Sequence, residues 1–378
     1  VTYLDHNAVT PARPEAIAAA EHALRAFGNP SSIHAAGREA REILDRAREQ
    51  ASRALGVAPR DLVFTSGATE SAALSVRGAL LAAPEGRAGL VVTSIEHPCV
   101  LDLARELARG GTPVQVVPVD GDGVVDLEVL RAAVTDETAV VCCMLANNET
   151  GVLQPVREAA SLARAAGARF FCDAVQAVGK VPVDVPGLGA DLVALTGQKF
   201  GGVRGAGALW IAPGVRLAPL LGGHQERGRR AGTENLPGIA ALGAGLEAAV
   251  AALAVEGPRV GALRDRLERG LLAEVPGARV NGGRAPRLPG TLSVTFPDAD
   301  GEALLVALDL EGVCASAGAA CTSGSSTPSH VLSAMGLSPG EARGTLRLSL
   351  GWPSTSADVD HALRLLPPLV ERVRAALR

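Results

Sequence analysis

Short apolar runs alternate along this chain with longer stretches in which apolar positions recur every three or four residues. The runs at 61–65, 90–93, 114–117, 139–145, 169–172 and 192–195 predict strands, and the periodic stretches at 35–55, 72–81, 98–109, 126–134 and 156–166 predict helices. Strand after helix after strand implies a mostly parallel sheet covered by helices on both faces. Beyond an Ala-rich apolar tract at 236–255, read as an interior helix, the pattern becomes helix 261–275, strand 290–295, helix 302–310 and strand 345–349. That second group predicts a smaller α/β unit.

In a sheet of this kind ligands gather at the carboxyl ends of the strands. The chain places its chemistry there. Lys199 follows the run 191–198 and opens the glycine-rich stretch Phe200-Gly-Gly-Val-Arg-Gly-Ala-Gly207, while Asp173 ends the run 168–172. A lysine amine and a carboxylate at neighbouring strand ends suit pyridoxal phosphate (PLP): the amine carries the aldehyde, and the carboxylate keeps the pyridine nitrogen protonated. Ser66-Gly-Ala-Thr-Glu-Ser71 joins a strand to a helix N-terminus, where free N–H groups and the helix dipole cradle an anion. His97 emerges at another strand end, placed to stack on a flat ring and move protons. Each segment alone also fits an ordinary loop or helix cap. Cys321 lies in Ala315-Ser-Ala-Gly-Ala-Ala-Cys321-Thr-Ser-Gly-Ser-Ser326, a run of small residues that suits a travelling nucleophile better than a packing thiol.

Composition narrows the function classes. The 378 residues are 47% hydrophobic and 20% charged, ordinary for a globular chain long enough for two domains. A net charge of −4 argues against a direct nucleic-acid or membrane surface. Cysteines 99, 142, 143, 172, 314 and 321 show no zinc spacing, and several fall in apolar strands, as reduced thiols do. The opening segment has neither a charged n-region nor an apolar h-region, so a cytoplasmic protein without membrane spans is expected.

The segments Tyr3-Leu-Asp-His-Asn-Ala8, Phe27-Gly-Asn-Pro-Ser-Ser32, Thr65-Ser-Gly-Ala-Thr-Glu70, Glu96-His97, Asn147-Asn-Glu-Thr-Gly151, Asp173-Ala-Val-Gln176, Gly197-Gln-Lys199, Arg229-Arg-Ala-Gly-Thr-Glu-Asn235, Ala320-Cys-Thr-Ser-Gly324 and Arg347-Leu-Ser-Leu-Gly351 fall in the order found in cysteine desulfurases. The chain resembles the NifS/IscS type of that family, within the class V aminotransferases, over residues 3–351. The resemblance implies PLP-dependent transferase fold type I. A large domain, 10–254, would hold a mostly parallel seven-stranded sheet flanked by helices. A smaller α/β domain, 1–9 with 255–378, would carry the cysteine loop.

The same resemblance implies residue roles. Lys199 would hold the cofactor and shuttle the substrate Cα proton, Asp173 would pair with the pyridine nitrogen, Gln176 would bond the ring oxygen, and His97 would stack and transfer protons. Ala68, Thr69, Thr196 and Gln198 would surround the phosphate, and Thr233 would reach the phosphate of the other subunit in a homodimer. Asn148 would lie between substrate and cofactor, Arg347 would bind the carboxylate of L-cysteine, and Cys321 would take the sulfur as a persulfide. An iron–sulfur scaffold or a thiolation relay would then accept it. Four positions depart from the family pattern: Gln198 stands for histidine, Val203 for proline, Val9 for threonine and Gly201 for a larger residue. The rival readings are a selenocysteine lyase, a small-substrate PLP aminotransferase, and a catalytically retired assembly subunit. The last would predict loss of Lys199, Asp173 or Cys321.

Overall fold

A computed structural model describes residues 1–317 and 328–377. In chain order its elements are β1 (Thr2–Tyr3), α1 (Pro14–Arg25), α2 (Ala35–Leu55), β2 (Leu62–Thr65), α3 (Ala68–Leu81), β3 (Gly89–Thr93), α4 (Pro98–Arg109), β4 (Val114–Val117), α5 (Leu127–Ala133), β5 (Thr138–Cys142), α6 (Val156–Ala165), β6 (Arg169–Asp173), β7 (Leu192–Thr196) and β8 (Gly207–Ile211). There follow α7 (Leu236–Glu274), β9 (Arg279–Val280), β10 (Thr291–Thr295), α8 (Gly301–Leu310), β11 (Val313–Cys314), β12 (Ser316–Ala317), α9 (His330–Ala334), α10 (Pro339–Arg343), β13 (Thr345–Ser349) and α11 (Ser356–Ala376).

Among the described residues, seven strands form a sheet in the order β2-β8-β7-β6-β5-β3-β4. Strands β3 to β7 run parallel, while β8 is antiparallel to both β7 and β2. Strands β3, β5, β6 and β7 are buried along nearly their whole length and read as apolar runs, whereas β4, at the sheet edge, exposes Gln115 and Val116. One face packs on α2, α6 and the first half of α7, and the other on α3 and α4. Helix α2 shows why: Ala40, Leu44, Ala47, Ala51 and Leu55 recur at helical spacing on its buried side, and left-handed Gly56 ends it.

A separate core gathers the second half of α7 with β10, β13, α8 and α11, and it includes Leu4. The tracts 236–255 and 261–275, expected as separate helices, form the single helix α7, which carries Pro258 inside it and feeds both cores. Burial of its apolar faces in those cores outweighs the local cost of the proline. By length and composition alone α7 could cross a membrane, yet 56% of its most apolar window is buried within the protein.

The N-terminal segment ties the two cores together. Leu4 N–H donates to Cys314 O at 2.8 Å and Leu4 O accepts from Ser349 N–H at 2.7 Å, after which Thr10 N–H reaches Gln198 O at 3.0 Å and Arg13 N–H reaches Gly201 O at 2.8 Å. Gly201 has φ +97, and a Cβ there would lie 2.6 Å from Arg13 Cγ, so a glycine suits this junction.

The loop before α7 turns through Glu226 (φ 48) and Arg227 (φ 59), left-handed conformations unusual outside glycine. A buried ion pair holds it there. Glu226 accepts from Arg48 Nη2 at 2.6 Å, Arg48 Nη1 at 3.0 Å and Phe64 N–H at 3.1 Å. Removing one partner strands the other charge in the interior, so Glu226→Ala should cost about 3–5 kcal/mol of stability in denaturant titration. An unchanged unfolding midpoint would show that Arg48 finds another partner or reaches water.

Candidate active site

Three strand ends supply three titratable groups. Asp173 closes β6, His97 follows β3 as the N-cap of α4, and Lys199 lies in a single helical turn directly after β7. Burial raises the Asp173 carboxyl, while the positive charges of His97 and Lys199 act against that rise, so the three groups share one electrostatic environment. Burial lowers His97, Lys199 and His330 lower it further, and Asp173 opposes them. His97 Nδ1 accepts from Cys99 N–H at 3.2 Å, which leaves the proton of the neutral ring on Nε2. Lys199 Nζ donates to Asn7 O at 2.8 Å and Ala8 O at 2.6 Å.

The start of α3 forms an anion cradle. Gly67 is its N-cap, with no side chain capping the first turn; Ala68 is the first helical residue, and Thr69 is exposed. Strand β8 comes against this turn because residue 207 is glycine: a Cβ there would sit 2.7 Å from Gly67 Cα. Buried Thr196 places its hydroxyl 2.6 Å from Gln198 Oε1 and 3.2 Å from Ala206 O. Thr196 therefore orients the Gln198 amide, leaving Nε2 as the donor for a phosphate. Arg230 pairs with Glu70 at 2.6 Å, which ties the segment 229–235 to the first turn of α3. Thr233 on that segment is exposed.

Arg347 and Asn148 lie where the small core meets these strand ends. The guanidinium, 1% exposed, donates through Nη2 to Asp5 Oδ1 at 2.7 Å and Ser316 Oγ at 3.1 Å, and through Nη1 to Asn148 O at 3.1 Å. Among the described residues, Arg347 Nε and Asn148 Oδ1 are buried without a partner. A donor and an acceptor left open on these two residues fit the carboxylate and amine of an amino acid. Gln176 donates from Nε2 to Asn7 O at 2.9 Å and accepts at Oε1 from Lys180 Nζ at 2.6 Å. Cys321 lies outside the described residues.

These residues fit PLP: an open helix N-terminus for the phosphate, Asp173 for the ring nitrogen, and Lys199 for the aldehyde. The Aminotransferase class-V family model matches residues 2–362. A cysteine desulfurase of Cereibacter sphaeroides is 48% identical over 99% of this chain and 96% of its own length. The cysteine desulfurase NifS of Azotobacter vinelandii is 45% identical over 98% of this chain and 93% of its own. A solved NifS-like protein superposes with a TM-score of 0.91 at 35% identity, covering 98% of this chain and 99% of its own. The chain belongs to the class-V aminotransferases, whose cofactor is PLP.

Three further residues serve the site beyond those singled out from sequence. Asn7 accepts through its carbonyl from both Gln176 and Lys199, and its side chain reaches Asn148 O and Thr291 Oγ1. Lys180 fixes the Gln176 oxygen. Glu96, fully buried, accepts at Oε1 from Thr93 Oγ1 at 2.6 Å and Met144 N–H at 2.7 Å, with Oε2 unpartnered. Their one sequence signal is polarity inside otherwise apolar or motif-bearing segments.

Burial, with the charge of Asp173 adding to it, pushes the Glu96 carboxyl up to about 8 from its ordinary 4.5. The folded protein therefore keeps a proton there that the unfolded chain has lost. Between those two values the native state binds more protons, so this group's contribution to stability falls as pH rises through the window. Glu96→Gln removes the dependence. Denaturant titrations at about pH 5 and about pH 8 should show the variant gaining on the parent protein at the higher pH. A stability difference that does not move with pH would mean that Glu96 is ionised in the folded state.

Proposed function

We propose that this chain is a PLP-dependent cysteine desulfurase that converts L-cysteine to L-alanine and takes the sulfur onto Cys321 as a persulfide. The observation that carries this reading is where the segment bearing Cys321 begins and ends. On one side, Ser316 Oγ donates to Asp5 Oδ1 at 2.9 Å and accepts from Arg347. On the other, Ser329 Oγ donates to Glu149 Oε2 at 2.5 Å, and His330 Nε2 lies 3.0 Å from Glu96 O. Both flanks are thus tethered to residues beside Arg347 and His97.

Arg347 and Asn148 would hold the substrate carboxylate and orient the amino acid. PLP, held by Lys199 until the substrate amine replaces it, would supply the electron sink for the pair left at the substrate Cα, and Asp173 would keep its ring nitrogen protonated. The Lys199 amine takes the Cα proton and later returns one, and His97 relays a proton beside it. The Cys321 thiolate attacks the substrate sulfur. A sulfur–sulfur bond forms, the Cβ–S bond breaks, and its electron pair stays with the three-carbon product, which takes up a proton and leaves as L-alanine. The presence of Lys199, Asp173 and Cys321 supports an enzyme over a retired subunit.

The persulfide would pass to an iron–sulfur scaffold or a thiolation relay in a reducing cytoplasm, since the chemistry needs Cys321 as a free thiolate. The NifS relative supports the scaffold reading. We place Arg229 to Asn235 at a two-fold axis, where exposed Thr233 would reach the phosphate in the partner subunit. Phe27 and Ile33, each 91% exposed, are apolar surface such a contact would cover. Sedimentation should show a dimer at working concentration, and an active monomer would contradict this assembly.

Two substitutions separate the chemical steps. Lys199→Ala should abolish both the visible band of the bound cofactor and alanine production, whereas Cys321→Ser should keep the band and its response to L-cysteine yet form no persulfide. Wild-type turnover in the alanine variant, or persulfide mapped by mass spectrometry to Cys99, Cys142, Cys143, Cys172 or Cys314, would refute the assignment.

A further inference from the structure

A glutamine amide can sit either way round, and at Gln176 the neighbours decide which. Oε1 faces Lys180 Nζ at 2.6 Å and Nε2 faces Asn7 O at 2.9 Å, the same carbonyl that accepts from Lys199 at 2.8 Å. Lys180 also donates to Asn7 Oδ1 at 2.9 Å. Asn7 Nδ2 is in turn spent on Asn148 O and Thr291 Oγ1, so the Asn7 amide cannot turn round without losing these bonds. A lysine ammonium has donors only and the Asn7 carbonyl only accepts, so Oε1 of Gln176 faces Lys180 and Nε2 faces Asn7 O. The nitrogen is left on the Lys199 side.

We propose that Lys180 is a positioning residue that locks the Gln176 amide with its N–H donor turned toward Lys199, so that the amide attracts the ring oxygen of the cofactor instead of repelling it. This rests on the proposed role of Gln176 beside PLP. The reversed amide would set oxygen against oxygen and forfeit a hydrogen bond at each end. The orientation survives loss of the Lys180 charge, because the Asn7 carbonyl still accepts from Gln176 Nε2 and would repel its oxygen. Burial, then Lys199 and Arg347, push its amine well below its ordinary range, and His6 on the N-terminal segment is the titratable neighbour that feels it. A neutral amine still has two N–H groups, enough for Gln176 Oε1 and Asn7 Oδ1.

The test is a double-mutant cycle read by equilibrium PLP binding to the apo-proteins. Lys180→Met and Gln176→Leu should each weaken binding roughly tenfold, the scale of one lost hydrogen bond, and the double variant should bind no more weakly than Gln176→Leu alone. In the loaded proteins, the pH midpoint of the visible band should move in Lys180→Met and return in Lys180→Arg, a response that loss of packing alone would not produce. If Lys180→Met does not fold, Lys180→Gln, whose shorter side chain cannot reach Gln176, replaces it with the same expectation. Effects that multiply in the double variant, or a silent Lys180 substitution, would overturn the role of Lys180 while leaving that of Gln176 intact. A silent Gln176→Leu would overturn both.

Discussion

The guanidinium of Arg347 is buried in the seam between two hydrophobic cores, and such a charge is tolerated only with a countercharge and hydrogen bonds beside it. Asp5 supplies the countercharge, and Ser316 and the Asn148 carbonyl supply further bonds. Asp5 can do so only because Leu4 and Tyr3 add the N-terminal segment to β11 and β13. The seam is therefore set by residues 2–13, which enter the small core at Leu4 and the large one at Arg13. Asn7, midway, touches Gln176, Lys180, Lys199, Asn148 and Thr291. Positioning of Arg347 and of Lys199 is one structural event.

Electrostatic balance follows from that burial. Asp173 and Glu96 are carboxyls raised by desolvation, and His97 and Lys180 are bases lowered by it. Every shift favours the neutral form, so the protein alone carries less charge at the site than its residue types suggest. A protonated pyridine ring beside Asp173 and an anionic phosphate at the open turn of α3 would bring opposite charges to these groups, giving the cradle a preference for PLP over an apolar ligand.

The parallel strands and the residues at their ends were legible in the sequence because buried strands leave unbroken apolar runs and turn residues punctuate them. The residues after β3, β6 and β7 could be read as site candidates for the same reason. Other features were not legible. The antiparallel turn of β8 depends on Gly207 meeting Gly67 across the sheet, a contact between residues distant in sequence. The unbroken α7 was hidden by Pro258, because local propensity reports the cost of a proline and not the tertiary packing that outweighs it. The hydrogen bond by which the Thr196 hydroxyl orients the Gln198 amide is likewise encoded by no motif. Lys180 could not be singled out from sequence, because its partners, Asn7 and Gln176, come together only in the fold.

The central claim is that Lys199 and Cys321 act in succession on one substrate molecule, and a single turnover tests it most directly. PLP-loaded protein mixed with L-cysteine, without an acceptor thiol, should yield L-alanine in equal amount to a persulfide that mass spectrometry maps to Cys321. Pyruvate and ammonia in place of alanine, or alanine without sulfur on Cys321, would contradict the account.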